Sequence, residues 1–314
     1  MAEYSAVAFT MQALVKYHGL RDWKLRLPYH DSISVNTTSM RTEATITDKR
    51  KGGVFTEGRP NESANARLQA IVSSFEPSTE VTDFRIDSRN LPHSKAKGIG
   101  YSSSAGAALT LLCHRLLVGG KPDLVRLSRT ARLFAASASR SVVGGFSRLY
   151  AGDDDESTYS ERFADARDLD LRMVIIPLPS PVRTEDAHKE VLTSPFFKGR
   201  VKTAQKRCDD MEKAVLAGDL DGVGRLAETD TLELHSLTMT GESGLIIMTE
   251  DSLRIIRRVR ELREEGLKAY YSMQTGPSVF INTSEEDEEA VHRAITKLGY
   301  RAYLSAVGGE AKML

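Results

Sequence analysis

The stretch from Lys97 to Leu109 runs a loop of small residues directly into a helical pattern: Lys-Gly-Ile-Gly-Tyr-Ser-Ser-Ser-Ala-Gly-Ala-Ala-Leu. Leu112 and Leu116 continue the apolar face of that pattern. A loop of this kind points backbone N–H groups and the positive end of a helix dipole at one place, which suits a phosphate group. A tight turn followed by a core helix accounts for the same residues. The loop alone therefore leaves both interpretations open.

The charge balance of the chain narrows the classes of partner that the sequence supports. Lys plus Arg and Asp plus Glu both number 43 in 314 residues, so the formal net charge is zero. A basic surface for nucleic acid or an anionic membrane is therefore not predicted. No apolar run approaches the roughly 18 residues of a membrane span, and the N-terminus lacks a basic and then apolar signal pattern. We expect a cytoplasmic protein in which Cys113 and Cys208 are plain reduced cysteines.

The periodicity of apolar residues predicts an α+β fold in two domains. Residues 5–15 and 31–47 alternate β-branched and polar side chains, which indicates strands. From a short apolar strand at 173–176 onward, helical patterns alternate with strands. This is typical of an α+β sandwich with helices on one face of an antiparallel sheet. We place the first domain, with the glycine-serine loop, at residues 1–170 and the second at 171–314.

One acidic run has the composition of a metal site without its pattern. Asp153, Asp154, Asp155 and Glu156 are consecutive, whereas the oxygen ligands of a calcium loop alternate along the chain. We interpret this run as a solvated turn and predict no metal site.

Anion-binding side chains are concentrated between the first two predicted strands. They are Lys16, Tyr17, His18, Arg21 and His30. A solvated loop accounts for this density as well as a binding site does, so other motifs must decide between the two.

Several stretches, in the same order, resemble signatures of the mevalonate (di)phosphate decarboxylases of the GHMP kinase superfamily. Residues 15–22, Val-Lys-Tyr-His-Gly-Leu-Arg-Asp, are similar to the family's Lys-Tyr-Trp-Gly-Lys-Arg-Asp segment. Residues 137–141, Ser-Ala-Ser-Arg-Ser, and 144–146, Gly-Gly-Phe, are similar to its Ser-Ala-Cys-Arg-Ser and Gly-Gly-Phe. Residues 230–235 and 271–278 resemble two further signatures. The likeness covers nearly the whole chain, and in detail it is nearest to archaeal phosphomevalonate decarboxylases.

The resemblance implies a two-domain GHMP-kinase-like fold with the active site in the cleft between the domains. The N-terminal domain would be a ribosomal-protein-S5-like α/β domain and the C-terminal domain a ferredoxin-like α+β sandwich. Such relatives phosphorylate the 3-hydroxyl of a phosphorylated mevalonate with ATP, after which phosphate leaves as carbon dioxide is lost, and they often form homodimers. The resemblance implies that Arg140 holds the substrate carboxylate, while Tyr17 and Ser137 place the mevalonyl chain and its 5-phosphate. A structural ion pair is the alternative for Arg140, and core packing is the alternative for Tyr17.

Three positions depart from the family's pattern. Gln274 stands where the family has an aspartate that accepts or orients the hydroxyl proton, and a neutral amide cannot act as a general base. Tyr101 replaces a serine of the glycine-rich loop, so that we expect a bulky ring to face the nucleotide phosphates. Leu20 replaces the second lysine of the Lys-Tyr-Trp-Gly-Lys segment.

These departures favour a substrate that already carries the 3-phosphate. A carboxylate about 4 Å from a phosphate costs on the order of 4 kcal/mol per charge pair at an effective dielectric near 20, and Gln274 removes that repulsion. We therefore predict an ATP-independent mevalonate 3,5-bisphosphate decarboxylase that requires no cofactor, with Arg140, Gln274 and Lys16 as its catalytic residues. The groups predicted to receive phosphate are Lys16, Ser102, Ser103 and Gln274, with Lys97, Arg183 and His188 completing the anion cage.

Two other functions stay open at this point. One is an ATP-dependent phosphomevalonate or diphosphomevalonate decarboxylase that tolerates Gln274, or a kinase that stops after phosphorylation. It predicts binding of ATP and Mg²⁺ and release of ADP. The other is a non-catalytic binding protein on the same fold, which would have no need to keep Lys16, Tyr17, Ser137 and Arg140.

Overall fold

The computed structural model describes residues 2–48, 50–94 and 96–314 of the chain. The strands are β1 (Glu3–Val15), β2 (Leu20–Asp22), β3 (Leu27–Pro28), β4 (Ser32–Thr47), β5 (Gly53–Thr56), β6 (Arg59–Pro60), β7 (Arg85–Leu91), β8 (Phe146–Leu149), β9 (Ser160–Ala164), β10 (Arg172–Ile176), β11 (Ala269–Met273), β12 (Val279–Thr283), β13 (Tyr303–Ser305) and β14 (Lys312–Met313). The α-helices are α1 (Glu62–Phe75), α2 (Tyr101–Leu117), α3 (Leu124–Arg132), α4 (Ala138–Val143), α5 (Thr184–Glu190), α6 (Phe197–Leu216), α7 (Leu220–Met239), α8 (Glu250–Glu264) and α9 (Glu288–Lys297).

The first sheet is built on the long antiparallel pair β1 and β4. Its strand order is β14-β1-β4-β7-β5-β6, with β8 and β9 continuing from the other end of β4. Only the β5–β7 pairing among the described strands of this sheet is parallel. Apolar side chains from this sheet and from α1 to α4 form one buried core that includes Ile46, Leu68 and Leu112. The two strands predicted at 5–15 and 31–47 are confirmed as β1 and β4.

The second layer is a four-stranded antiparallel sheet covered by helices. Its strand order is β11-β12-β10-β13, and α8 and α9 bury their apolar faces against it. Ile256 and Val259 of α8 meet Val174 and Ile281 of the sheet in a second core. This layer is the predicted α+β sandwich.

A shared core joins the two layers. Val15 and Ile33 of the first sheet pack with Phe280 of the second sheet and with Met211 of α6. The end of β1 therefore lies between the two halves of the molecule, and β1 as a whole contacts α2, α4, α6 and α7.

The chain crosses between the layers twice. The strand β10 begins at Arg172, close to the predicted boundary at 170/171. After β13, however, the chain returns to the first sheet, where β14 pairs with β1 through Ala6 and Met313. The last residues of the predicted second domain thus complete the first sheet. In the described part of the chain, no helix is both long and apolar enough to cross a membrane.

Candidate active site

A cavity of about 470 Å³ lies where β1 ends, between the two layers. It runs from the Lys16–Tyr17 corner along the glycine-serine loop and over the first turn of α2 to a polar surface beside α1 and β7. Predicted site residues that line it are Lys16, Tyr17, Lys97, Ser102, Ser103, Ser137 and Gln274. Its further polar lining residues are Thr56, Asn61, Ser63, Arg67, Ser88, Asn90, Ser94, Thr184 and Thr275.

Lys16 is held by the second domain through its backbone. Its N–H donates to Oδ2 of Asp230 at 2.9 Å, and its carbonyl accepts from Nη2 of Arg200 at 2.8 Å. The side chain of Lys16 is buried, with its Nζ 5.0 Å from the centroid of the Tyr17 ring. Burial and the neighbouring Arg140 charge lower the pKa of the Lys16 amine to about 7, although Asp230 acts in the opposite direction. The amine is therefore poised to gain or lose a proton near neutral pH.

Tyr17 is fixed by a histidine. The rings of Tyr17 and His188 stack with centroids 5.3 Å apart and an angle of 6° between their planes. The backbone N–H of Gly19 donates to Nδ1 of His188 at 3.0 Å, which assigns the ring proton to Nε2. Burial and the charges of Lys16 and Arg26 hold the pKa of His188 well below its usual range. His188 is thus a neutral support for Tyr17 and does not itself line the cavity.

Arg140 is a buried cation without a carboxylate partner. It lies 5.5 Å from the centroid of the Tyr17 ring, and its Nη1 donates to Oγ of Ser32. Its Nε and Nη2 are buried and have no hydrogen-bond partner among the described residues. Burial lowers the pKa of Arg140 to about 10. The alternative of a structural ion pair is therefore wrong for this residue, because no Asp or Glu in the described part of the chain bridges it.

The glycine-serine loop is confirmed as the start of a helix. Gly98 and Gly100 adopt φ angles of 81° and 88°, and a Cβ on Gly100 would lie 2.9 Å from the carbonyl oxygen of Met11. These two glycines let the loop pass close to β1. In the first turn of α2, Oγ of Ser103 donates to Oγ of Ser137 at 2.6 Å, while Ser102 is exposed to the cavity. The N–H of Ser103 already donates to the carbonyl of Gly100 at 2.9 Å, so the earlier N–H groups of this turn, those of Tyr101 and Ser102, are the ones that can receive an anion.

Gln274 ties the second domain to this loop. Its Nε2 donates to the carbonyls of Met11 at 3.0 Å and Gly98 at 3.3 Å. The side chain is buried, with 3% exposed, yet it still lines the cavity. The side-chain Nε2 of Gln274 therefore already donates to backbone oxygens and not to a group in the cavity.

Tyr101 lies differently from what the loop sequence suggested. Its hydroxyl donates to the carbonyl of Pro92, and its ring packs against the shared core that contains Ile99. The ring still forms part of the cavity wall. Because the hydroxyl is bonded to the segment before the loop, the ring is held at the wall.

Three predicted site residues do not line the cavity: Arg140 and His188, which are buried behind it, and Arg183, which is exposed. The side chain of Arg183 is 73% exposed and lies 3.7 Å from the carboxylate of Glu185. It is absent from the cavity lining. The acidic run is also placed away from the cavity lining: Asp155 forms ion pairs with Arg129 and Arg132. Across residues 2–48, 50–94 and 96–314, no three His, Cys, Asp or Glu side chains are grouped to hold a metal ion.

Sequence reasoning missed the arginines around this site. Arg200 forms a buried ion pair with Asp230 at 2.7 Å, and Arg67 lines the cavity. Arg26 lies close enough to Tyr17 and His188 to act on the pKa of each. Arg26 lies four residues after the end of the motif at residues 15–22, so a basic residue flanking the motif was the available signal.

The fold and the cleft define a protein of the GHMP-kinase type, with a glycine-rich loop and a buried lysine lining one cavity. The family model for the diphosphomevalonate decarboxylase-like N-terminal domain matches residues 8–160, and that for the mevalonate 5-diphosphate decarboxylase C-terminal domain matches residues 182–303. The chain belongs to the mevalonate (di)phosphate decarboxylase family and is a decarboxylase of the mevalonate pathway.

Two relatives differ in the substrate that their names state. A phosphomevalonate decarboxylase of Haloferax volcanii is 37% identical and covers 99% of this chain and 97% of its own length. A mevalonate 3,5-bisphosphate decarboxylase of Thermoplasma acidophilum is 26% identical, with 88% of this chain and 69% of its own length covered.

Solved structures agree with the fold. The mevalonate diphosphate decarboxylase of Enterococcus faecalis superposes with a TM-score of 0.89 at 24% identity, over 100% of this chain and 99% of its own. That of Staphylococcus aureus gives 0.89 at 23% identity, over 99% and 98%. The predicted two-domain α+β fold is thereby confirmed.

Proposed function

We propose that the protein decarboxylates mevalonate 5-phosphate with ATP as phosphoryl donor, releasing isopentenyl phosphate, carbon dioxide, ADP and phosphate. This is the second of the functions that the sequence left open. It is supported by the Haloferax relative, which is 37% identical over nearly the whole chain, whereas the Thermoplasma bisphosphate decarboxylase is 26% identical.

The observation that carries the proposal is the pair of buried cations around Tyr17. Arg140 has two unpartnered nitrogens, and Lys16 has an amine whose pKa lies near 7. An unpaired buried guanidinium is costly, and a substrate carboxylate would compensate it through two parallel hydrogen bonds. Ser137, bonded to Ser103 of the loop, lies beside the Tyr17 hydroxyl, where a polar chain can be oriented.

The cavity extends beyond this corner, and we assign that part to the nucleotide. Past the loop it continues over hydroxyl and amide side chains of Thr56, Asn61, Ser63, Ser88 and Asn90. ATP would supply the phosphoryl group that converts the 3-hydroxyl into a leaving group. Ser102 and the first turn of α2 would hold its phosphates beside the ring of Tyr101, whose hydroxyl is bonded to the Pro92 carbonyl. Phosphoryl transfer relies chiefly on positioning and charge stabilisation, so loss of an aspartate is tolerable for it.

The monophosphate is favoured over a diphosphate by one substitution. Leu20 stands where the family carries its second lysine, and here it is buried against Tyr17, Ala136 and Leu149. One cation fewer at this end of the site suits a ligand of lower charge.

Gln274 supports a second candidate, the ATP-independent decarboxylation of mevalonate 3,5-bisphosphate. The residue brings no carboxylate to the place where a 3-phosphate would leave, which removes a charge repulsion. Under this function Arg140 orients the carboxylate while Lys16 and Ser103 receive phosphate oxygens, and no nucleotide is consumed.

Product analysis distinguishes the ATP-dependent decarboxylase from the ATP-independent one. Purified, nucleotide-free protein is incubated with mevalonate 5-phosphate plus ATP and Mg²⁺, and separately with mevalonate 3,5-bisphosphate alone. Isopentenyl phosphate and ADP from the first mixture only are the expected result. Product from the bisphosphate without ATP, and none from the first mixture, would overturn the proposal and establish the second candidate. A third mixture with mevalonate 5-diphosphate plus ATP measures the preference between the two phosphate esters.

A further inference from the structure

Four charged side chains lie close together beside the cavity, and Arg67 is the one among them that lines it; the others are Arg26, Arg183 and Glu185. Nη2 of Arg67, on α1, lies 2.8 Å from Oε1 of Glu185, on α5. Arg67 lines the cavity, and so does Thr184, the neighbour of Glu185. The ion pair therefore joins the first domain to the second beside the entrance.

Arg26 is the third member of this group. Burial and the Arg67 charge lower its pKa, while Tyr17 and Glu185 act in the opposite direction, so Arg26 is near enough for all three to act on its guanidinium. Its Nε donates to the carbonyl of Leu133 at 2.8 Å, and its terminal nitrogens have no hydrogen-bond partner among the described residues. Its φ of 53° lies in the left-handed region, which non-glycine residues rarely occupy. A strained residue that presents unpartnered donors beside a cavity is typical of a ligand-binding position.

The net charge of these side chains determines how strongly the site binds ligands of different negative charge. Arg26 and Arg67 attract any phosphate ester, and Arg183 adds a third positive charge 3.7 Å from Glu185. Glu185 cancels one of these three positive charges. A phosphate monoester carries about −1.5 to −2 charges at pH 7, and a diphosphate carries more. Because Coulomb repulsion grows with ligand charge, the carboxylate disfavours the diphosphate more than the monophosphate.

Resting on the proposed phosphomevalonate substrate, we propose that Glu185 makes this site selective for a 5-monophosphate over a 5-diphosphate, with Arg26 and Arg67 receiving the ester. Leu20, which adds no charge, works in the same direction. Glu185 is then a specificity-determining residue, and its effect depends on the ligand's charge.

Calorimetric titration of the full-length protein tests this without turnover. Mevalonate 5-phosphate and mevalonate 5-diphosphate are titrated separately, without nucleotide, into wild type, Glu185→Gln and Asp186→Asn. Asp186 is the matched control, because it is an exposed carboxylate in the same helical turn that makes no ion pair with a described residue. The measured quantity is the ratio of the two dissociation constants.

We expect wild type to prefer the monophosphate and Glu185→Gln to shift the ratio towards the diphosphate by about tenfold. Asp186→Asn should leave the ratio unchanged, and Arg26→Gln should weaken both ligands. An unchanged ratio in Glu185→Gln, an equal shift in Asp186→Asn, or a wild type without preference would overturn the inference. Failure of the proposed function is distinguishable, since it appears as absent product in the ATP-dependent assay whatever the binding ratio is.

Discussion

Oδ2 of Asp230 accepts the backbone N–H of Lys16 at 2.9 Å across the boundary between the two layers. On the other side of the same peptide, Arg200 donates to the Lys16 carbonyl at 2.8 Å, and Arg200 and Asp230 are themselves paired at 2.7 Å. The buried Arg200–Asp230 ion pair of the second domain therefore holds the backbone of Lys16, directly after β1. The position of the site lysine depends on how the two layers pack.

Replacing Asp230 by Asn should destabilise the protein strongly. Burial would raise the pKa of Asp230, but Arg200 and Arg207 outweigh burial and lower it, so the native residue is a carboxylate. Asp230→Asn keeps an acceptor for Lys16 but leaves Arg200 buried without its main counter-charge. Such a loss costs about 3–5 kcal/mol in the free energy of unfolding. Denaturant unfolding measures it, with Glu233→Gln as the control, because Glu233 touches the same arginines but is more exposed. Equal losses in the two variants would contradict a special role for Asp230.

Replacing Arg140 by Met should separate stability from binding. Since Arg140 is buried without a carboxylate, removing its charge should leave the free energy of unfolding unchanged or raise it. Loss of the partner for a substrate carboxylate should weaken substrate binding on the order of 100-fold or more. Thermal unfolding measures the change in stability, and calorimetric titration measures the change in substrate binding.

The control for that variant is Arg132→Met. Arg132 is equally buried, but it pairs with Asp155, so this change should destabilise the protein and spare substrate binding. If Arg140→Met lowered stability as much as Arg132→Met, Arg140 would be a structural residue.

The sequence predicted what depends on local pattern, and it missed what depends on packing. Alternation in 31–47 and the glycine-serine run at Lys97 correctly located β4 and the start of α2. Both features depend on neighbouring residues, through the periodicity of side chains and the backbone freedom of glycine. The Lys16–Asp230 bond joins residues 214 positions apart, which no local pattern reveals. Tyr101 illustrates a second limit, since the side on which its ring lies is decided by its bond to Pro92.

Two arginines show the same difference between what local sequence predicts and what packing decides. Arg183 and Arg26 look alike in sequence, as basic residues near motifs that resemble the family's signatures. The turn between β2 and β3 brings Arg26 to Tyr17, while the start of α5 leaves Arg183 exposed beside Glu185. The β14 strand is a further case, because its two residues become a strand only through their partner β1.

Converting Gln274 to Glu should loosen the contact between the domains. The amide donates to the carbonyls of Met11 and Gly98, and a carboxylate of the same shape would instead face two oxygens in a buried place. Leaving buried groups unpaired in this way costs about 1–3 kcal/mol, and a charged group costs more. Hydrogen exchange of the loop around Gly98 and the midpoint of thermal unfolding should both report the loss. Gln274→Met, which removes the donor without adding charge, should have a smaller effect, and a reversed order would contradict a donor role for the amide.

Binding of an anionic substrate should draw a proton onto Lys16. Its amine has a pKa of about 7 in the ligand-free protein, compared with an ordinary value of about 10.4, so at pH 8 it is mostly neutral. An anion beside it favours the charged form and raises the pKa, so binding at pH 8 should take up close to one proton, whereas binding at pH 6 should take up almost none. The same lowered pKa means that the unfolded chain binds more protons than the native protein between pH 7 and 10.4. The cost of burying Lys16 is therefore full below pH 7 and decreases as the pH rises through that window.

Calorimetric titration of mevalonate 5-phosphate in two buffers of different ionisation enthalpy measures this uptake. Lys16→Met should abolish the uptake at pH 8. Lys97→Met is the matched control: it removes an exposed lysine from the same cavity and should leave the uptake in place. Uptake that persisted in Lys16→Met would assign the proton to another group, and uptake that was larger at pH 6 than at pH 8 would mean that a group with a lower pKa, such as the neutral His188, receives it.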